Sequence, residues 1–300
     1  MTEFVYILSP SYSGSTLLTY LLATHPDIAT VGELKASAMG DAENYVCSCG
    51  VRIRECPFWL GVARRLRGRR VPFDVGDFGT HFRPDGSMCS SLLGTGVRGR
   101  FFEAARWIGL RLMLECRRTL RAILEKNRAL AEVVCEIQGG ATFLDSSKDP
   151  IRLKHFASSG LWNVKAIWLT RDGRGSSCSY MRHHDARMDE AAAAWRAVQE
   201  ECERVLAGMC RGAWTSVRYE DLCRDPEGTT RRLFGFLGCN GHEARLDFRS
   251  IDHHILGNQM RLRSASEIYL DERWRSELDA GDLGVFDNVA GEVNRRYGYE

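Results

Sequence analysis

Three stretches of this sequence carry residue types that can hold and move anions. The first is Ser9-Pro10-Ser11-Tyr12-Ser13-Gly14-Ser15-Thr16-Leu17-Leu18, set between an apolar run at 4–8 and a helical run at 16–22. A small-residue turn leading from a strand into a helix offers an anion the N–H groups of the first helical turn and the positive end of the helix dipole. Gly14 lets the backbone approach closely, while Ser13, Ser15 and Thr16 add hydroxyl donors. The same residue types cap helices, so taken alone the turn leaves both readings open. The Gly-Lys pair of an NTPase loop occurs nowhere in the chain, which weighs against phosphoryl transfer from ATP or GTP.

The second stretch is Arg171-Asp172-Gly173-Arg174-Gly175-Ser176-Ser177-Cys178-Ser179-Tyr180, directly after the strand-like run 164–170. Arg171 leaves the end of a strand and Ser179 follows on the next helix, so the two donors can converge on one anion; an ordinary charged turn is the plain alternative. In the third, Lys148 follows Asp145-Ser146-Ser147 at the end of a short strand. Ligands sit at that edge in open α/β sheets, although a lysine ahead of Pro150 can also be a solvated turn residue.

These residues need a framework that brings strand ends together. Apolar runs at 4–8, 142–144, 164–170 and 214–219 are separated by helical patterning at 100–134, 189–210 and 226–237. That alternation predicts a mostly parallel sheet covered by helices. Further helical patches lie at 271–278 and 282–297, with Trp195 and Trp274 expected to pack in the core. The segment at about 41–100 has poor periodicity and frequent glycines, and is expected to be an irregular insertion in one domain spanning residues 1–300. A 300-residue chain with 44% hydrophobic residues has ample material for a core, and a net charge of +2 excludes a global basic field for coating nucleic acid. The start at Met1-Thr2-Glu3 lacks a secretory pattern and no run is long enough to span a membrane, so a cytoplasmic location with reduced thiols is expected for the 11 cysteines.

Together the first two stretches resemble the PAPS-dependent sulfotransferase family (PAPS, 3′-phosphoadenosine-5′-phosphosulfate). That family has a Ser-Gly-[Ser/Thr]-Thr turn for the 5′-phosphosulfate, and a strand followed by Arg and Ser at this spacing for the 3′-phosphate. Motif order is nearest to the tyrosylprotein sulfotransferase branch. Gly32-Glu33 after His25-Pro26, Lys148-Asp149-Pro150 with Leu153-Lys154, the Arg171–Arg174 turn, and Tyr219-Glu220-Asp221-Leu222 with Pro226-Glu227 have counterparts there in the same order. The likeness covers residues 4–238 apart from the insertion.

The resemblance implies an α/β, P-loop NTPase-like fold: a parallel central sheet flanked by helices, with a phosphate-binding loop after the first strand. It implies PAPS as co-substrate, no metal, and an acceptor bearing a hydroxyl or amine on a small molecule, glycan, lipid or peptide. Ser13, Gly14, Ser15 and Thr16, with Leu17 next in the turn, would hold the 5′-phosphosulfate. Arg171 and Ser179 would hold the 3′-phosphate, with Arg261 and Arg263 reaching it from a late basic loop. Each charge-assisted contact contributes about 1.5–3 kcal/mol. Glu33 takes the position of the general base, Lys148 is the candidate for the leaving phosphate, and His183 and His184 are rival bases. One position departs from the pattern. The family usually has Arg or Lys where Tyr12 stands, and a phenol carries no positive charge near neutral pH. Either Lys148 or Lys35 supplies that charge, or turnover is slow, or the chain binds PAPS or adenosine 3′,5′-bisphosphate without catalysis. A P-loop kinase is the remaining alternative.

Two other features carry less. Cys47-Ser48-Cys49-Gly50 and Cys56-Pro57 give three local cysteines at an unusual spacing, where structural zinc takes four ligands, so buried thiols or a labile disulfide are expected. The basic run at 64–70 reads as a solvated face or a guide for an anionic acceptor; without interleaved aromatics it does not suggest single-strand binding.

Overall fold

The structure is a computed structural model and describes residues 3–36, 39–83, 88–94, 99–239, 245–251, 253–257, 259–262 and 265–300. The first half runs β1 (Glu3–Leu8), α1 (Ser15–Leu22), β2 (Ile28–Thr30), α2 (Pro57–Gly68), α3 (Met88–Leu93), α4 (Arg100–Leu112) and α5 (Leu114–Gln138). Next come β3 (Thr142–Lys148), α6 (Pro150–Ser158), β4 (Asn163–Thr170), α7 (Gly173–His184), α8 (Met188–Ala207) and β5 (Trp214–Arg218). The chain ends with α9 (Tyr219–Arg224), α10 (Pro226–Leu237), α11 (Trp274–Glu277), α12 (Ala280–Phe286) and α13 (Glu292–Arg296); a π-helical turn joins the last two.

The five strands form one parallel sheet in the order β2-β3-β1-β4-β5, as the alternation of the sequence predicts. β1 lies at its centre, and its apolar run is explained by burial on both faces. Phe4, Tyr6 and Leu8 point into one hydrophobic cluster, and Val5 and Ile7 into another, following the twofold period of a strand. Tyr45, Ile53, Trp59, Phe78 and Phe82 join the cluster of Phe4 and Tyr6. The irregular stretch expected at 41–100 therefore contributes to the core, and it contains α2 and α3. Trp195 and Trp274 pack with Phe286 in a third cluster.

Three expectations are corrected. The helical pattern at 100–134 is two helices, because Met113 takes an extended conformation between α4 and α5. Each helix has its own attachment to α3. Buried Arg106 of α4 donates to the carbonyls of Leu92 and Gly94 at 2.6 and 2.8 Å, while Cys116 of α5 is joined to Cys89. That disulfide also departs from the reduced thiols expected; packing of α3 on α5 brings the two Cα atoms to 5.1 Å, within bridging range. Finally, the helical patch at 271–278 shrinks to the single turn Trp274–Glu277.

One buried ion pair organises the carboxyl end of β3. Arg152 Nε donates to Asp145 Oδ2 at 3.1 Å, with both side chains essentially inaccessible. The rest of the guanidinium is satisfied by the Thr80 carbonyl at 2.7 Å and Asn127 Oδ1 at 2.6 Å. The other Asp145 oxygen accepts from the Leu34 amide at 3.1 Å, the Ser147 amide at 2.9 Å and the Ser147 hydroxyl at 2.5 Å. A fully satisfied network of this kind holds the backbone on either side of Asp145 in one arrangement. Removing one partner of such a pair costs about 3–5 kcal/mol because the other charge is left buried and unpaired. Arg152→Ala should therefore lower the unfolding free energy in urea by about that amount, whereas Arg69→Ala, which breaks exposed pairs with Glu132 and Glu136, should cost under about 1 kcal/mol. Equal effects of the two substitutions would contradict the role given to Asp145 and Arg152.

Candidate functional site

Each strand delivers one component at its carboxyl end, where ligands sit in open parallel sheets. In spatial order these are Glu33 after β2, Lys148 closing β3, the Ser13-Gly14 turn after β1, Arg171 after β4 and Tyr219 after β5. The turn after β1 enters α1 with no side-chain cap, so the N–H groups of the first helical turn, which have no intrahelical acceptors, are left for another partner. Gly14 has φ 88°, and a Cβ there would lie 2.4 Å from the Tyr219 ring. No other residue type fits. The hydroxyls of Ser9 and Ser13 are buried and make no hydrogen bond among the described residues. Buried hydroxyls of this kind are ordinarily paired, and here they suit an anion with several oxygen acceptors.

Two cavities meet at this turn. The larger, of about 800 Å³, is lined by Gly14, Leu17, Arg171, Ser179, Tyr219 and Arg261. Arg171 is buried over the Tyr219 ring at 4.6 Å and donates to the Tyr12 carbonyl at 2.7 Å and the Asp271 carbonyl at 2.8 Å. The Asp271 carboxylate lies 3.3 Å from the same guanidinium. Asp271 is held well below the usual carboxylate range, first by hydrogen bonding to Arg273 and further by Arg171. It therefore stays ionised near neutral pH and balances both arginines. Tyr219 in turn is fixed through its hydroxyl, which donates to the Tyr269 carbonyl at 3.2 Å and accepts from the Asp271 amide at 3.2 Å. Burial pushes its phenol up, so it remains neutral. The Ser179 hydroxyl donates to the Gly175 carbonyl at 3.0 Å. Arg261 lies over the Tyr45 ring at 4.1 Å and donates to the carbonyls of Val46 and Gly257 at 3.1 and 2.8 Å.

The smaller cavity, of about 420 Å³, shares Tyr12, Gly14 and Met260 with the first and contains Ser15, Thr16, Glu33 and Lys148. Lys148 Nζ donates to Glu33 Oε1 at 2.5 Å across 115 positions of sequence. The approach depends on an irregular strand end. The β1–β3 register slips between Tyr6–Asp145 and Leu8–Lys148, and Lys148 itself adopts φ 67°. A bulge of this kind re-aims a side chain, and a non-glycine residue at positive φ persists only where its surroundings over-determine it. Here they do: Asp145 holds Ser147 on one side, while Asp149 caps α6 by accepting from the Ile151 and Arg152 amides on the other. Glu33 is placed by its own amide, which donates to the Leu256 carbonyl at 3.3 Å, and by Gly257, whose missing Cβ leaves room at 3.2 Å from Oε1.

The structure thus brings Glu33 and Lys148 together, and gathers Arg171, Ser179 and Arg261 around the larger cavity. His183 faces that cavity rather than the Glu33–Lys148 pair. Its Nδ1 carries the proton, because its partner at 2.7 Å is the Ser179 carbonyl, which only accepts. The neighbouring His184 lines the smaller cavity, with Nε2 at 3.0 Å from the Tyr12 hydroxyl. Tyr12, stacked on His183 at 4.7 Å, forms the partition between the two spaces. Lys35 also lines the smaller cavity, 3.5 Å from Asp149. Arg263 lies outside the described residues. Arg182, Tyr219, Asp271 and Arg273, all at the larger cavity, received no role from sequence reasoning. Tyr219 had a signal, since its Tyr-Glu-Asp-Leu segment follows β5, whereas Arg273 lies in a stretch without motif. The basic run at 64–70 covers the end of α2 and the two residues after it, and its arginines are exposed while Leu66 packs inward.

Comparisons with known proteins bear on the family and the fold. The family model described as "Sulfotransferase family" matches residues 80–243. Among solved structures, the chain is similar to the sulfotransferase domain of the olefin synthase from Synechococcus PCC 7002, at 20% identity and a TM-score of 0.52, covering 99% of this chain and 95% of that one. It is also similar to a sulfotransferase from Mycobacterium avium, at 14% identity and a TM-score of 0.50, covering 100% of this chain and 78% of that one. At these identities the two structures speak for the shared fold. No curated protein matches the chain.

Gly14→Ala places a methyl group into the Tyr219 ring and should weaken binding of pyrophosphate by about tenfold or more, about 1.4 kcal/mol, with the circular dichroism spectrum unchanged. Unaltered affinity in titration calorimetry would remove the turn from the binding site.

Proposed function

The chain belongs to the sulfotransferase family, and on that premise we propose that it moves a sulfuryl group from PAPS to a hydroxyl or amine acceptor, releasing adenosine 3′,5′-bisphosphate. The observation that carries this reading is the Glu33–Lys148 pair, a base and a cation at 2.5 Å in a cavity that opens through the Gly14 turn onto a larger, arginine-lined one. When bound, PAPS supplies an activated sulfuryl group on a phosphate leaving group. The chain's own residues then have separate tasks. Ser13, Ser15 and Thr16 with the first-turn amides hold the 5′ end, and Arg171 and Ser179 hold the 3′-phosphate, with Arg261 closing the cavity. That 3′-phosphate distinguishes PAPS from ATP, and the absent Gly-Lys pair removes the usual support for a kinase.

Sulfuryl transfer, by analogy with phosphoryl transfer, passes through a loose, charge-spread transition state, so positioning and electrostatics do most of the work. Glu33 Oε1 accepts the acceptor's proton as the new S–O bond forms. Lys148 faces the oxygen that leaves sulfur and stabilises the charge growing on the phosphate. Their contact in the free protein lets each side chain hold the other in place until the reactants come between them. Tyr12 supplies no charge to the loop, and Lys148 and Lys35 bring positive charge to the same cavity from β3 and from the segment after β2. This supports turnover over nucleotide binding alone.

With PAPS labelled in the sulfuryl group and a panel of phenols, alcohols and amines, wild type should label at least one acceptor. Glu33→Gln should lower kcat by about 10²–10⁴-fold, the usual contribution of a positioned base, while affinity for adenosine 3′,5′-bisphosphate stays within about threefold, under 1 kcal/mol. Tight bisphosphate binding with no turnover on any acceptor would favour a nucleotide-binding protein instead. Full activity in Glu33→Gln would remove Glu33 as the base and move attention to His184.

A further inference from the structure

The three cysteines near residue 50 have a fourth partner from the far end of the chain. Cys47, Cys49 and Cys56 meet His254 so that their ligand atoms all lie within 4.8 Å of one another. Cys56 Sγ is 3.5 Å from His254 Nδ1, Cys47 Sγ is 3.7 Å from it, and Cys49 Sγ is 3.6 Å from Cys56 Sγ. Zinc–sulfur and zinc–nitrogen bonds of about 2.3 and 2.0–2.1 Å at the tetrahedral angle give edges of about 3.8 Å between sulfurs and about 3.6 Å between sulfur and nitrogen. The observed separations lie close to those edges, and the sulfur pair at 3.6 Å is far beyond the roughly 2.05 Å of a disulfide.

The surroundings hold the ligands in place. Cys56 is the N-cap of α2, where the helix dipole favours a negative sulfur. The His254 ring is held by stacking on Phe58, at 4.3 Å and 7° between planes. Cys47 and Cys56 are fully buried, and Ser48 ties the two segments together by donating to the His253 carbonyl and accepting from the Ile255 amide.

We infer that Cys47, Cys49, Cys56 and His254 form a structural zinc site that staples the segment around residue 50 to the segment around residue 255. Four protein ligands close the coordination sphere, so the ion does not act on substrate. Its effect is positional. The stapled segment continues into Leu256 and Gly257, which abut Glu33, and Tyr45 meets Gly257 and Arg261 from the other side. The site does not depend on the sulfuryl-transfer reading, since it follows from the ligand geometry alone.

Elemental analysis of the full chain, purified without chelator, should find about one zinc per chain, as a closed four-ligand site requires. Cys56→Ser and His254→Ala should lose nearly all of it, while Cys210→Ser, at an exposed cysteine apart from the cluster, should keep it. Because either ligand variant could misfold, cobalt substitution of the wild type provides a second test. Thiolate-to-cobalt charge transfer in the near ultraviolet, with the visible bands of a tetrahedral ion, supports the site. Zinc-free folded protein whose cobalt spectrum lacks thiolate bands, or a Cys49–Cys56 disulfide in a non-reducing digest, would overturn it.

Discussion

The buried Asp145–Arg152 pair is the constraint on which the Glu33–Lys148 side of this protein depends. One Asp145 oxygen is committed to Arg152, and the other collects the amides of Leu34 and Ser147, one residue from Glu33 and from Lys148 respectively. A single carboxylate therefore sets the backbone next to both members of the ion pair proposed to do the chemistry. The same guanidinium reaches the Thr80 carbonyl and Asn127 on α5, which ties the strand end to the irregular segment and to a helix packed on the sheet. Ion pairs this deep are poor sources of net stability, because desolvation offsets attraction. What this one contributes is a unique arrangement: Lys148 can sit at φ 67° because its neighbours on both sides are held.

A second regularity is electrostatic. Most cations of the site are already matched by an acid on the chain: Lys148 by Glu33, Lys35 by Asp149, and Arg171 and Arg273 by Asp271, while Arg261 is held by the carbonyls of Val46 and Gly257. This keeps a dense group of positive charges folded without a ligand. It also means that an incoming anion exchanges partners instead of finding bare charge, so its affinity is a difference between two well-satisfied states. The shared acid Asp271 couples Arg171 to the segment after residue 265, and Arg261 couples the larger cavity to Tyr45 and Val46. The larger cavity, where the nucleotide is proposed to bind, is thus assembled from parts of the chain far apart in sequence.

What could be read beforehand follows from that division. The β1 turn, Arg171 and Ser179 could be singled out as candidates, and placed at strand ends, because each is specified locally, by a strand, a turn and a helix in succession. The parallel sheet was legible from the spacing of apolar runs. Glu33 and Lys148 could each be singled out, yet their pairing across 115 positions required the strand order and the bulge in β3. Asp145 and Arg152 gave no signal, since an aspartate in a strand and an arginine in a helix read as ordinary surface residues until the fold buries them. Tyr219 is an aromatic floor under Arg171 only because β5 lies beside β4. The break at Met113 was hidden because helical periodicity continues through it, and the attachments that enforce it lie on α3.

The donor side is the heart of the proposed function, and Arg171 is its most committed residue. The most direct test is calorimetric binding of adenosine 3′,5′-bisphosphate against ADP, on wild type and on Arg171→Ala. Wild type should show a clear preference for the bisphosphate, reduced in Arg171→Ala by about ten- to a hundredfold, the value of one charge-assisted contact, with little change toward ADP. Equal binding of the two nucleotides by wild type, or a preference that survives in Arg171→Ala, would contradict the proposed function.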